Sequence, residues 1–229
     1  MDYYTLSYVL IFVSIGITLI AQIFVSTSYS KYKKVQNNKG ITGAEVAREI
    51  LDKHGLTNVY VTATNGTLSD HYDPKRKVVR LSKDVYEGTT IAAVSVAAHE
   101  VGHAIQDKEE YAFMRFRSAL VPMVNFSSTA GYFAILIGLF FGYTSFIWLG
   151  IALEIVILLF QLITLPVEFN ASSRALTLLE DCGILSEREI PSTKKVLSAA
   201  ALTYVASAAS GILQLLRLIL LTNNRRRRD

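Results

Sequence analysis

Four long apolar runs limit what this chain can fold into more than any other feature of its sequence. They cover residues 4–25, 120–141, 146–165 and 197–221. At about 1.5 Å per residue, a helix of this length can cross a bilayer core about 30 Å thick. The runs contain two charged residues, Glu154 and Arg217. Glu154 must face a partner or a cavity, and an ion pair with Arg217 is the structural hypothesis for that partner. The sequence therefore predicts an integral membrane protein with about four transmembrane helices.

The first run has the features of a retained anchor rather than of a cleaved signal peptide. The residues before it include Asp2 and no basic residue, and no clear cleavage pattern of small residues follows it. We therefore expect residues 1–30 to form an N-terminal transmembrane anchor.

The second and third runs are joined by residues 142–145 alone. A link this short predicts a tight antiparallel hairpin of two transmembrane helices. The hairpin returns the chain to the side of the membrane that it left. Residues after 165 therefore share a compartment with residues before 120.

The polar segment between the first and second runs predicts a small sheet followed by a helix. Thr42 and Glu45 have the spacing of a helix capping box, and Gly55 suits the end of that helix. Residues 58–63, 68–72 and 77–81 are rich in β-forming types or flanked by turn signals.

The next helix carries the motif His-Glu-x-x-His, with His99, Glu100 and His103. Positions four residues apart share one helix face, so both imidazoles can bind the same Zn²⁺ ion. Glu100 leans toward the same side, where it can act as general base on the water of the metal. The motif predicts one zinc ion per chain.

The surroundings of the motif support this interpretation. Residues 91–98 and the positions beside the histidines are uncharged and helix-compatible. The motif arises by chance in fewer than about one in a hundred chains of this length. The alternative is a buried helix with two hydrogen-bonded core histidines.

A catalytic zinc site needs a third protein ligand and a position for water. Glu168 is the candidate, because it follows the hairpin and lies on the same side of the membrane as the motif. Glu180 and Asp181, farther along the same predicted helix, are competitors. The alternative role of Glu168 is to stabilise a helix N-terminus as a surface carboxylate.

With these residues in place, the chain resembles a known family. The segments that carry the resemblance are 69–74, 98–106, 165–172 and 200–206. The whole chain is similar to the bacterial neutral zinc metallopeptidases of the YugP-like type, related to the HtpX-type membrane gluzincins. The resemblance implies a membrane-integrated zinc endopeptidase. HtpX-type proteins place an Asp four residues after the ligand Glu, where this chain has Ser172, a weaker partner for a zinc histidine.

His71 is a tentative catalytic residue. It lies on a predicted strand before the zinc helix, and in thermolysin-like folds an edge strand lines the cleft. Its side chain could donate a hydrogen bond to the tetrahedral intermediate. The alternatives are a structural bond within the Asp-Pro turn or a second metal-site role. Tyr204 is another candidate for the same task, although tyrosine is common at membrane interfaces.

The predicted reaction is hydrolysis of peptide bonds in proteins or peptides at or in the membrane, with a role in membrane-protein quality control. Glu100 accepts the proton of the zinc-activated water and passes it to the leaving amine. The alternative is a catalytically silent zinc-binding scaffold or partner-binding protein. The two charges within the apolar runs are too few to mark a transport pathway.

The distribution of charge narrows the classes of binding partner. The net charge is +4, and basic clusters at 31–34 and 225–228 follow apolar runs, which favours contact with the lipid bilayer over nucleic acid.

The lysines after the first run predict a cytoplasmic catalytic region, although four spans then place the arginine tail outside. A single cysteine, Cys182, excludes an internal disulfide framework. The oligomeric state is not indicated.

The predicted fold class is mainly α with a small β-sheet: a zincin-like (gluzincin) core combined with about four transmembrane helices. The predicted segments are the anchor (1–30), the catalytic region with the zinc helix (31–117), the transmembrane hairpin (118–166), the helix of the third ligand (167–197), and the C-terminal transmembrane helix with its basic tail (198–229).

Overall fold

The computed structural model describes the backbone of residues 3–226 and the side chains of residues 5–223. The predicted basic tail therefore lies mostly outside the described residues. The elements in chain order are α1 (Tyr3–Tyr32), α2 (Gly43–Lys53), β1 (Tyr60–Thr64), β2 (His71–Asp73), β3 (Val78–Ser82), α3 (Lys83–Tyr86), α4 (Ile91–Lys108), α5 (Ala112–Phe141), α6 (Thr144–Asp181) and α7 (Ile190–Arg226). The predicted fold class, mainly α with a small sheet, is confirmed.

Within residues 3–226, four helices are long and apolar enough to cross a membrane. They are Thr5–Tyr32, Ala112–Phe141, Thr144–Asp181 and Ile190–Asn223. Few side chains in their most apolar windows are buried by protein, as expected for helices whose surfaces contact lipid. The protein is therefore a multi-pass membrane protein.

The chain forms two units. The helical unit consists of residues 1–22, 115–166 and 203–229, and the mixed unit consists of residues 23–114 and 167–202. The mixed unit contains the sheet, α2, α3, α4 and the second part of α6. The boundary between the units falls inside α6, between Pro166 and Val167.

The helices extend beyond the apolar runs. The predicted third span and the predicted helix after it are one helix, α6, with Pro166 inside it. Proline has a helical φ and removes one backbone hydrogen bond, which a membrane helix tolerates. Likewise α7 begins at Ile190, seven residues before the apolar run, and α1 continues to Tyr32, whose ring is buried in the core of the mixed unit.

The sheet has the strand order β1-β3-β2, so β2 is an edge strand. β3 pairs in parallel with β1 and antiparallel with β2. β2 begins later than predicted because the preceding residues form a turn. Leu68 has a φ of 54°, and the Ser69 hydroxyl donates to the Asn65 carbonyl oxygen.

The core of the mixed unit is built by α2 and α4. The predicted capping box of α2 is confirmed, since Thr42 and Glu45 each accept a hydrogen bond from the other's backbone N–H. The amphipathic α2 buries Val46, Ile50 and Leu51 in the same core as most of α4. α4 is buried on nearly every side, which explains why the residues around its motif are uncharged.

The predicted ion pair between Glu154 and Arg217 in the helical unit is wrong. The Arg217 guanidinium donates to the Ser7 hydroxyl at 3.2 Å and to Gln214 Oε1 at 3.3 Å. Both partners are uncharged, and no ion pair joins Arg217 to Glu154. Nearby polar side chains therefore satisfy the guanidinium without a carboxylate.

Candidate metal centre

Helix α4 presents His99 and His103 side by side. Their ring centroids lie 4.8 Å apart and the ring planes are nearly perpendicular. Thr90 caps the helix N-terminus by accepting from the Ala93 N–H. The i, i+4 spacing thus places both imidazoles on one face, as the motif predicts.

Glu168 joins these histidines from α6. Its Oε2 lies 3.3 Å from His99 Nε2 and 3.6 Å from His103 Nε2. The side chain is only 2% exposed. A buried carboxylate is costly unless it is paired or coordinates a metal, so this position indicates a site built for positive charge.

The close contact between α4 and α6 depends on Gly102, which lies between the two histidines. A Cβ added at Gly102 would lie 2.9 Å from the Ala171 carbonyl oxygen. Because glycine has no Cβ, the α6 backbone can approach α4 closely enough to bring Glu168 to the histidines.

The three side chains fit a zinc ion. Within the described residues, their ligand atoms lie within 4.8 Å of one another. Tetrahedral zinc with bonds of about 2.0–2.1 Å separates its ligand atoms by about 3.3–3.4 Å. The two measured nitrogen–oxygen distances, 3.3 and 3.6 Å, lie close to that value. Two imidazoles and one carboxylate also leave a fourth position for water, as in catalytic zinc sites.

The second nitrogen of each histidine has a partner. Ser172 Oγ lies 3.2 Å from His99 Nδ1, so this hydroxyl does contact the histidine. Gln106 Oε1 lies 2.9 Å from His103 Nδ1. These contacts leave both Nε2 atoms facing Glu168. Both hydrogen bonds orient the imidazole rings, and the Gln106 oxygen, which can only accept, also selects the tautomer of His103.

Gln106 is a residue whose role the sequence did not indicate. Its side chain is completely buried. Its Nε2 donates to the Val167 carbonyl oxygen at 2.8 Å and to Asn170 Oδ1 at 2.9 Å. The amide can therefore only present its oxygen to His103. The sequence feature that could have indicated this role is the position of Gln106 three residues after His103, on the same helix face.

The hydrogen-bond chain continues to the protein surface. Arg174 Nε donates to Asn170 Oδ1 at 2.8 Å, and its terminal nitrogen contacts Glu109 Oε2 at 2.6 Å. This ion pair lowers the pKa of Glu109. The network joins the C-terminal end of α4 to α6 around the candidate site.

Glu100 is a buried carboxylate on α4, 8% exposed. Burial alone would lower the pKa of His103. The neighbouring carboxylates of Glu168 and Glu100 raise it by a larger amount, so that the pKa of His103 lies above its ordinary value. The charge of Glu100 therefore acts within the site, although Glu100 is not part of the ligand cluster.

The structure does not bring His71 into the ligand cluster. His71 lies on the edge strand β2, its side chain is exposed, and its Nδ1 lies 2.8 Å from the Ser69 carbonyl oxygen. The next residue, Tyr72, points to the opposite face of the sheet, where its hydroxyl donates to Asp107 of α4. The catalytic role of His71 stays a prediction.

Three other candidates also lie outside the cluster. Glu180 and Asp181 are exposed at the end of α6. Tyr204 is half-buried on α7 and belongs to the helical unit. Among the acidic residues of α6 that the structure describes, Glu168 is the one grouped with the histidines.

Comparison with known proteins gives a family and a relative. Residues 7–223 match the family described as "Putative neutral zinc metallopeptidase". The chain is 48% identical over 213 residues to "Putative membrane protease YugP" of Bacillus subtilis (strain 168), covering 93% of this chain and 95% of that protein. No solved structure matches. The match extends over nearly the whole chain, so the chain belongs to this neutral zinc metallopeptidase family, whose cofactor is zinc.

Proposed function

We propose that this protein is a membrane-embedded endopeptidase in which His99, His103 and Glu168 hold one zinc ion and Glu100 is the general base. The observation that carries the proposal is the buried cluster of two imidazole nitrogens and one carboxylate oxygen within 4.8 Å of one another, in which both nitrogen–oxygen distances lie close to those expected around tetrahedral zinc. The ligand set and the base next to the first histidine assign it to the gluzincin type.

The chemistry divides between the metal and the side chains. When bound, zinc acts as a Lewis acid that polarises a peptide carbonyl and acidifies water. Glu100, buried beside His103, accepts a proton at its carboxylate when water attacks and passes that proton to the departing amine nitrogen. Gln106 Oε1 accepts from His103 Nδ1 and so fixes the tautomer of His103, and the Ser172 hydroxyl contacts His99 Nδ1, so that both Nε2 atoms remain available as ligands.

Substrates are proteins or peptides at or in the membrane. Two facts support this proposal: the chain has four helices able to cross a bilayer, and its B. subtilis relative carries the name of a membrane protease. A protease of this kind suits the removal of membrane proteins that have misfolded. His71, exposed on an edge strand, is proposed to contact the bound substrate rather than the metal.

The test compares zinc content and casein cleavage in the purified full-length protein. Glu168→Ala should lose the metal and the cleavage, whereas Glu180→Ala, which removes an exposed carboxylate of the same helix, should keep both. Full zinc content in Glu168→Ala would contradict the ligand set. A wild-type protein that holds zinc but cleaves neither casein nor a membrane protein would favour the alternative of a silent zinc-binding scaffold.

A further inference from the structure

A cavity in the mixed unit lies apart from the metal ligands. It has a volume of about 440 Å³ and opens between the C-terminal end of α1 and the first turns of α7. None of its lining residues belongs to the metal site. Cavities of roughly 300–1,000 Å³ are typical of sites for small ligands.

The lining of this cavity is amphipathic. Phe24 and Tyr32 of α1 and Leu202 of α7 supply apolar walls. Lys31 and Lys195, one from each helix, supply two positive charges. Among the residues with described side chains, no carboxylate lies within 4 Å of either ammonium group. The Lys31 ammonium lies over the Tyr32 ring, 5.5 Å from its centroid. The cavity thus combines an apolar interior with two positive charges that have no carboxylate partner among the described side chains.

The position of the cavity along its two helices matches the depth of lipid headgroups. The apolar run of α1 ends at Val25, and the apolar run of α7 begins at Leu197. Lys31 and Lys195 therefore lie beyond the apolar runs of their helices, where lysine ammonium groups meet phosphates. The Ser28 hydroxyl donates to the Lys195 carbonyl oxygen at 3.4 Å, which joins the two helices at this depth.

We propose that this cavity is a binding site for one anionic phospholipid. An acyl chain lies against Phe24 and Leu202, and the headgroup phosphate lies between Lys31 and Lys195. An apolar peptide segment would satisfy the walls but would leave both ammonium groups unpaired. The charge of the cavity therefore favours an anionic lipid over a peptide.

Native mass spectrometry of the full-length protein, released from micelles that contain equal amounts of phosphatidylglycerol and phosphatidylcholine, tests this proposal. We expect one tightly bound phosphatidylglycerol per chain. The double variant Lys31→Gln/Lys195→Gln should weaken that binding about tenfold or more, because each lysine near a membrane surface contributes to the attraction of anionic lipid.

The matched control is Lys34→Gln/Lys194→Gln, which removes two neighbouring exposed lysines that do not line the cavity. It should bind phosphatidylglycerol like the parent protein. Ala199→Leu keeps both lysines and fills the cavity, so it should also lose the bound lipid. Three results would overturn the proposal: equal retention of both lipids, equal loss in both double variants, or displacement of phosphatidylglycerol from this cavity by an apolar peptide without an anionic group.

Discussion

At the scale of single residues, the side chain that most needs a functional explanation is Gln106. A fully buried amide is costly unless all of its groups are paired. Here each group has a partner: the oxygen faces His103, and the nitrogen donates to the Val167 carbonyl oxygen and to Asn170. This arrangement makes Gln106 a positioning residue for a zinc ligand.

Replacing Gln106 should weaken zinc binding without removing a ligand. In Gln106→Leu, the Nδ1–H of His103 loses its acceptor, so neither tautomer nor ring orientation is fixed. Loss of such a partner typically lowers metal affinity about 10–100-fold. Competition with a chromogenic chelator measures the zinc dissociation constant. Gln22→Leu, which removes an exposed amide on α1, is the control. Equal affinity in Gln106→Leu and the parent protein would show that this contact does not orient His103.

The residues of the site differ in how far the sequence could identify them. His99, Glu100 and His103 were predictable because their spacing within one helix determines their common face. Gln106 and Asn170 were not identified, because their contact depends on how α4 lies against α6, two helices that are far apart in sequence. Glu168 was reached by following the membrane hairpin back to the same side.

At the scale of elements, the packing of α4 against α6 decides whether Glu168 reaches the histidines. Gly102 permits this packing, since its missing Cβ leaves room for the Ala171 carbonyl oxygen. The prediction of a separate span and a separate helix for α6 failed at Pro166, because proline alone does not end a helix in a membrane.

Gly102→Ala should therefore destabilise the protein and release zinc. The added methyl group forces α6 away from α4, and overpacking of this kind costs about 1–3 kcal/mol. Gly16→Ala is the control, because a Cβ at Gly16 meets nothing within 4 Å. Both changes improve helix propensity by about 1 kcal/mol, so only the contact with Ala171 distinguishes them. Thermal unfolding and zinc content in detergent measure the effect. If the Gly102→Ala protein had the same melting temperature and the same zinc content as Gly16→Ala, the close contact between α4 and α6 would not depend on Gly102.

Glu189, which lies just before α7, should make a pH-dependent contribution to the folding stability of the protein. Burial alone would raise the pKa of Glu189. Hydrogen bonds from the Ser186 hydroxyl, the Ser186 N–H and the Asn38 N–H lower it by a larger amount, so that the pKa of Glu189 lies below its ordinary value. A carboxyl group with a lowered folded-state pKa stabilises the protein above its unfolded-state pKa of about 4.3 and loses this contribution as the pH falls through the folded-state value.

Glu189→Gln should accordingly lower the melting temperature at pH 7, and the difference from the parent protein should disappear at acidic pH. Melting curves between pH 7 and pH 3 measure this difference. The control is Glu187→Gln, which alters a neighbouring acidic residue. A difference that stays constant over the whole range would show that the charge of Glu189 does not contribute.

At the scale of the whole molecule, the segments predicted along the sequence differ from the units in space. Each unit collects residues from distant parts of the chain, and all four membrane-crossing helices of the described residues contribute to both units. Apolar runs identify the parts of a helix that meet lipid, but they do not indicate where that helix begins and ends. The five-segment division of the chain stays a prediction.

The orientation in the membrane is predicted by the lysines after α1, which favour a cytoplasmic mixed unit. Single cysteines can test it in a Cys182→Ser background. Lys39 is exposed and suits labelling, unlike its buried neighbour Asn37. Tyr143, in the link between α5 and α6, is 58% exposed and should lie on the other side. In intact cells, a membrane-impermeant maleimide should label Tyr143→Cys and not Lys39→Cys. The reverse pattern would place the zinc site outside the cell.

The central claim is that Glu100 performs the proton transfer at a zinc site that His99, His103 and Glu168 form. Substitution Glu100→Gln tests it most directly, because glutamine keeps the size of the side chain but cannot accept the proton. Zinc content and casein cleavage are measured on the same purified protein. We expect about one zinc ion per chain, as in the parent protein, with cleavage reduced about a hundredfold or more. Cleavage by Glu100→Gln at the parental rate, with zinc bound, would contradict the account.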